Sequence, residues 1–242
     1  MARYEYKGRS KIIERIPEKK INKQKFIINQ CNFILIASSP MANVKSLGCA
    51  LSNSFYDNEV MDIHLDLIKS ICKNPFILVV GGFDSKKVLR HDRKNEFQLI
   101  ENSIFEFTNS SEDLRIGLNA VPRGYTIVID SAFIPSVETY KLLTEDINES
   151  RIAYSVRKSE YVGINTTSSD IVNYFGYSCE KRLKGAYSLS QLDSDKLRKR
   201  FTGSSFNKSK FDYEFLLELK LRGVEDNSKS LRIDENFEEE EE

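Results

Sequence analysis

Thr126–Pro135, TIVIDSAFIP, is the stretch on which the fold turns. Thr126, Ile127, Val128 and Ile129 run without polar alternation into Asp130. Such a run reads as a strand buried on both faces, as central parallel strands are. A carboxylate at its C-terminal end then sits at the rim of the sheet, where open α/β folds place ligands. A solvated turn aspartate behind a buried strand is the plainer alternative.

Upstream, Phe33, Ile34, Leu35 and Ile36 form a second buried run that ends in the small and turn-forming residues Ser38–Asn43. From Val44 the spacing becomes helical, through Leu47, Leu51 and Phe55. Strand, short loop and helix together present backbone N–H groups to a phosphate. Met61–Cys72 continues helically, Asn74-Pro75 stops it, and Phe76–Val80 is a third buried run ending at Gly81-Gly82. Ser103–Phe107 and Leu114–Leu118 are read as short strands about a turn at Asn109–Ser111. Downstream, a helix is expected from Pro135 to about Ile147. Tyr161–Ile164 reads as a short strand, followed by the polar residues Asn165–Ser169 and a helix of about four turns. Phe211–Leu221 fits either helix or strand. Alternating buried strands and amphipathic helices predict an α/β fold, a mostly parallel sheet with helices on both faces.

The 242 residues suffice for one good-sized α/β domain or two small ones. Lys+Arg and Asp+Glu are 36 each, so net charge argues neither for nor against nucleic acid. The distribution is uneven. Residues 1–20 form a basic arm, and Glu238–Glu242 closes an acidic stretch expected to be a disordered tail over 225–242. Cys31, Cys49, Cys72 and Cys179 form no CxxC pair and His64 and His91 are the only histidines, which disfavours a zinc site. No stretch looks like a signal peptide or a membrane span, so the expected location is the cytoplasm, the host's if the source is viral, with no membrane partner.

A further pattern emerges from Ser39–Ser46, SPMANVKS, where Lys45-Ser46 opens the helix after a buried strand. Read with Gln24, FILVVGG, SSEDLRIGL, RGYTIVIDSAFIP and GINTTSSDIVNYF, it resembles the ATPase domain of the large terminase subunit, the DNA-packaging motor of tailed bacteriophages and related viruses. The matching segments span roughly residues 22–175. The resemblance implies a RecA-like phosphate-loop NTPase, a three-layer sandwich over residues 21–185, with 186–224 as a C-terminal extension. It also implies ATP and Mg²⁺ as cofactors. Gln24 would contact adenine, and Asn43, Val44, Lys45 and Ser46 would form the phosphate loop, with Lys45 on the β/γ phosphates. Ser46 and Asp130 would hold the metal, and Thr166 and Thr167 would couple hydrolysis to motion. Double-stranded DNA, portal or small-terminase-like proteins and a homo-oligomeric ring are the partners it implies.

The departures from that pattern bear on chemistry. Ser131 stands where the family has its catalytic glutamate, and a serine cannot act as a carboxylate base. Val44 adds a Cβ where backbone should approach phosphate closely. Glu138, about one helical turn on, is a substitute base only if it is not simply a solvated helix residue. Asp212 and Glu214 read as surface charge. Some 65 residues remain after Thr167 and its helix, too few for a nuclease domain. The expectation is a packaging ATPase fold that binds nucleotide with little hydrolysis. The alternatives are a catalytically degenerate structural or regulatory module of a packaging or DNA-processing complex, and a helicase-like nucleotide-binding protein.

Overall fold

The computed structural model describes residues 27–39, 48–55, 58–91, 93–156, 162–203 and 206–233. Its elements, in chain order, begin with β1 (Ile28–Ala37), β2 (Ser54–Phe55), β3 (Asn58–Glu59), α1 (Val60–Ile71), β4 (Cys72–Gly81), α2 (Ser85–Leu89) and β5 (Gln98–Glu101). Then come α3 (Ser110–Ala120), β6 (Thr126–Asp130), β7 (Phe133–Ile134), α4 (Val137–Thr144), β8 (Arg151–Val156), β9 (Gly163–Thr166) and β10 (Val172–Gly176). The chain closes with β11 (Lys181–Leu189), α5 (Gln191–Thr202), α6 (Asp212–Leu216), β12 (Arg222–Glu225) and β13 (Leu231–Arg232).

A nine-stranded mixed sheet runs β10-β9-β11-β6-β1-β4-β5, with β8 beside β11 and β12 beside β8. The first two buried runs are neighbours: β1 lies parallel to β6, with Phe33 opposite Ile127 and Ile36 opposite Asp130. On its other edge β1 is parallel to β4, and β4 to β5. Both faces of this parallel core are covered, which is why its strands read as unbroken apolar runs. Phe33, Leu35, Ile127 and Ile129 face a core completed by α1 and α4, while Ile34, Val80 and Val128 face one completed by α3, α5 and α6. The result is a three-layer α/β sandwich with a mostly parallel sheet.

Helix α3 comes very close to that second face. A Cβ on Gly117 would lie 2.8 Å from Cγ2 of Ile34, so the glycine is required there by approach rather than by backbone angle.

Four expectations are corrected. Leu114–Leu118 lies in helix α3, not a strand, and Phe105–Phe107 is a single 3₁₀ turn. The four-residue spacing of Leu114 and Leu118 is a helical one, and Glu112 and Asp113 in the first turn favour the helix start. The helix expected after Ser169 is strand β10, folded back on β9 through a tight turn at Thr167–Asp170 in which Asp170 takes φ 60°. Packing also does not end at residue 224: Asp226 and Ile233 are fully buried and β13 pairs with β7. Residues 234–242 and the basic arm lie outside the described residues.

Candidate functional site

The chain leaves β1 for β4 on one side and returns through α3 to β6 on the other. Strand order therefore reverses between β1 and β6, and the crevice beyond their C-terminal ends is where open α/β sheets bind ligands. A cavity of about 340 Å³ opens there, lined by Ser38 after β1, Asp130 and Ser131 after β6, and Asp113 of α3. Its far wall is built from β10, β11 and α6, with Phe175, Tyr187 and Asp212 among the lining residues.

At the sheet rim, Ser131 N–H donates to the Ile36 carbonyl at 3.0 Å, carrying the β1–β6 pairing one residue beyond Asp130. Asp130 Oδ1 accepts from the Ala132 N–H at 3.1 Å, an Asx-type turn that fixes the carboxylate at the strand end. Its Oδ2 accepts from Arg232 Nη2 at 3.1 Å. Opposite stands Gly185, in a bulge of β11 with φ 76°. A Cβ there would lie 3.3 Å from Cβ of Asp130 and 3.4 Å from Nη1 of Arg232. Glycine thus meets both the backbone angle and the space around the carboxylate.

Lys184, next to Gly185, turns to a buried anion. Its Nζ lies 3.2 Å from Asp226 Oδ2 and donates to the Ser228 carbonyl at 2.9 Å. Asp226 also accepts from Thr139 Oγ1 at 2.7 Å and from the Ser228 N–H at 2.9 Å. Thr139 belongs to the capping box that starts α4, so this network ties β11, α4 and the segment after β12 together.

On the other wall, Asp113 accepts from Ser38 Oγ at 2.6 Å and from Asn102 Nδ2 at 2.8 Å. Asp212 accepts from Ser110 Oγ at 2.8 Å and Tyr187 OH at 2.9 Å. Burial pushes both carboxyl pKa values up, against the hydrogen bonds that lower them. Phe175, Tyr213 and Phe211 stack in succession beside Asp212, with centroids 5.7 Å and 5.1 Å apart. Among the described residues, Asp113, Asp130, Asp212 and Arg232 are the charged groups that line the cavity.

Behind the rim, His64 of α1 is fully buried and its Nε2 lies 3.0 Å from the Ser131 carbonyl. That contact makes Nε2 the protonated nitrogen, leaving Nδ1 as a buried acceptor without a partner among the described residues. Burial lowers the pKa from 6.5 to about 4, against the Ser131 hydrogen bond and the Asp130 charge that raise it. Between those values the unfolded chain binds a proton that the folded chain refuses. Stability is therefore fully present above the unfolded value and falls as the pH drops through this window, by about 3 kcal/mol. Denaturant titrations at successive pH values should show that loss, and His64→Gln should flatten it. A wild-type slope unchanged by the substitution would assign the loss to other groups.

The residues expected from sequence are dispersed. Gln24, Asn43, Val44, Lys45 and Ser46 lie outside the described residues. Asp130 is at the sheet rim as expected, and Ser131 is buried beside it. Glu138 is exposed on α4, paired with Lys141, and does not line the cavity. Thr166 accepts from Lys181 Nζ at 2.6 Å and Thr167 closes the β9–β10 turn, so neither lines the cavity. Asp212, read as surface charge, is instead hydrogen-bonded within the cavity wall, whereas Glu214 pairs with Lys210 at the surface. Asp113, Lys184, Asp226 and Arg232 were missed. Only Asp226 had a signal: like Asp130 it follows a strand and precedes turn-forming residues, Asn227 and Ser228.

Glu59, Asp62 and His91 also come together, away from this cavity, with His91 Nε2 2.7 Å from Glu59 Oε2. His91 Nδ1 accepts from the Arg93 N–H at 3.1 Å, which places the imidazole proton on Nε2, facing Glu59. Asp62 Oδ1 is in turn 3.3 Å from Arg93 Nη1. No helix among the described residues is long and apolar enough to cross a membrane.

No family model matches the chain, and no curated protein matches it by sequence. Solved structures do match. CTP:phosphocholine cytidylyltransferase from Streptococcus pneumoniae superposes with a TM-score of 0.68 at 13% identity, over 87% of this chain and 97% of that one. The inositol-1-phosphate CTP transferase from T. maritima gives 0.64 at 13% identity, over 83% and 86%. A UDP-glucose pyrophosphorylase complexed with UDP-glucose gives 0.64 at 12% identity, over 86% and 94%. The chain therefore has the nucleotidyltransferase fold. This overturns the terminase ATPase reading: β11 lies antiparallel beside β6, and the segment matched to the coupling motif is a β-hairpin. The expectations of a phosphate-loop ATPase, a packaging motor and a degenerate form of one fall with it.

Proposed function

We propose that the chain is a nucleotidyltransferase, moving a nucleoside monophosphate from a nucleoside triphosphate to a phosphorylated small alcohol or sugar and releasing pyrophosphate. The observation that carries this reading is Asp130, held by its own turn at the β1–β6 switch point, facing a cavity large enough for a small ligand. The fold of the chain supports it.

Magnesium suits the donors present. Asp130 offers hard oxygen, and Mg²⁺ is commonly held by one or two carboxylates, with substrate phosphates and water completing the shell. When bound, the ion would neutralise phosphate charge and polarise the reacting phosphoryl group. Asp130 would hold it, with the Arg232 guanidinium at the same carboxylate. An oxygen of the acceptor's phosphate attacks the α-phosphorus, the bond to the β-phosphate oxygen breaks, and pyrophosphate leaves with the electron pair. That acceptor is already an anion near neutral pH. It needs no carboxylate base to deprotonate it, so Ser131 beside Asp130 is compatible with activity here where it was a defect for water activation. Walls from Val128, Ile152 and Leu216 keep part of the cavity apolar, which favours transfer over hydrolysis.

The test is pyrophosphate release from each of the common nucleoside triphosphates with Mg²⁺ and a panel of phosphorylated alcohols and sugars. Calorimetric nucleotide binding is measured alongside. Release that depends on the acceptor supports the proposal. Absence of nucleotide binding with and without Mg²⁺, or release of orthophosphate irrespective of acceptor, would overturn it.

A further inference from the structure

The Asp130–Arg232 pair joins the carboxylate at the sheet rim to a strand near the end of the described chain. We propose that Arg232 is a phosphate-binding residue kept in reserve. It holds Asp130 in the ligand-free chain, and passes to a substrate phosphate when a divalent cation takes the carboxylate. The inference rests on the nucleotidyltransferase reading and adds a residue and a sequence of events to it.

Strand β13 places this side chain without freedom to wander. Arg232 pairs with Phe133 and Leu231 with Ile134, so the guanidinium's strand is hydrogen-bonded to the strand that directly follows Asp130. Ile233 N–H donates to the Ala132 carbonyl at 2.9 Å, and the Ile233 side chain is fully buried in the α1/α4 core. Alternation along a strand then sends Arg232 to the opposite side, where it lines the cavity. Gly185 leaves room there, with Nη1 3.4 Å from the position a Cβ would occupy.

The pair itself is built to be exchanged. The Asp130 side chain is 43% exposed and that of Arg232 20%, and ion pairs open to water contribute little. A divalent cation binds a carboxylate more strongly than one guanidinium nitrogen does. Once displaced, the guanidinium stays at the rim because its strand is anchored at Ile233. Its planar fork matches two phosphate oxygens, which a lysine cannot imitate. By contrast Lys184 is already engaged with a fully buried carboxylate, and leaving it would strand that charge.

The test uses the full chain and reads binding rather than turnover. Free Mn²⁺ is followed by electron paramagnetic resonance, and pyrophosphate binding with Mn²⁺ by calorimetry, for wild type, Asp130→Asn, Arg232→Met and Arg232→Lys. Methionine keeps the apolar stem, so packing is preserved. Arg232→Met is expected to bind Mn²⁺ alone severalfold more tightly, since the competing cation is gone, yet to bind pyrophosphate with Mn²⁺ about tenfold more weakly. Arg232→Lys should return Mn²⁺ affinity toward wild type without restoring pyrophosphate. Opposite signs from one substitution are not produced by a merely structural latch, which would weaken both. Weakening of both, or no change in either, overturns the inference even where wild type binds pyrophosphate and Asp130→Asn abolishes its Mn²⁺ binding. A wild-type chain that binds neither pyrophosphate nor nucleotide overturns the inference together with the reading beneath it.

Discussion

Asp130→Asn is expected to lower nucleotidyl transfer about a thousandfold while leaving the fold in place. The asparagine oxygen still accepts from the Ala132 N–H, so the turn after β6 survives. Losing the half-exposed pair with Arg232 costs no more than about 1 kcal/mol of stability. The charge is another matter. Without it the metal loses its anionic protein ligand, and with it several kcal/mol of stabilisation for the charge that develops on the transferring phosphate. About 4 kcal/mol of that corresponds to a rate factor near 10³. Single-turnover pyrophosphate release, measured across a Mg²⁺ titration, separates this from a binding defect. High Mg²⁺ should recover only a small part of the rate. Transfer within tenfold of wild type, in a variant whose thermal midpoint is unchanged, would remove Asp130 from the reacting centre.

The parts legible in sequence are those whose physics is local. TIVID, FILI and FILVV are unbroken apolar runs because β6, β1 and β4 are covered on both faces, and such runs read as buried strands. Helix α1 was legible from its period alone. The misleading words, RGYT and IDSAFIP, encode a strand end, an Asx turn and a helix start. Two unrelated α/β folds need the same local geometry there, so the match carried no information about the neighbouring strand. What separates them is that β11 runs antiparallel to β6, a contact between residues almost sixty positions apart, such as Tyr187 with Val128. No pattern in either segment announces it. Leu114–Leu118 taken alone is too short to separate strand from helix, and the acidic first turn at Glu112 and Asp113 is what marks the helix. Asp113, Asp212 and Asp226 carry the charge of the site or its support, yet each sits in a charged or polar stretch that looks solvated. Only the tertiary fold buries them.

The largest stability effect is expected at Asp226. The residue is fully buried, and the Lys184 ammonium beside it is 12% exposed. Asp226→Ala leaves that ammonium without its anion and frees the Thr139 and Ser228 hydroxyls from their acceptor. Breaking a buried pair from one side costs about 3–5 kcal/mol. In a chain of this size that is a fall of roughly 10 °C in thermal midpoint. Burial pushes the Asp226 pKa up, but hydrogen bonds from Ser228 and Thr139 and the Lys184 charge outweigh it, so the carboxyl lies below its ordinary value of 3.8. A depressed carboxyl contributes stability above its unfolded value and loses it as the pH falls through the folded one. This loss therefore begins below about pH 4, beneath the window assigned to His64. Removing both charges in Lys184→Met/Asp226→Leu takes away the penalty of the stranded partner, since an apolar pair fills the space without desolvating an ion. The double variant should be more stable than Asp226→Ala alone, although it lacks two interactions instead of one. Urea unfolding of wild type, both single variants and the double variant decides the matter. Destabilisations that simply add would mean that Lys184 and Asp226 do not depend on each other, and that the network after β12 is held by its hydroxyls.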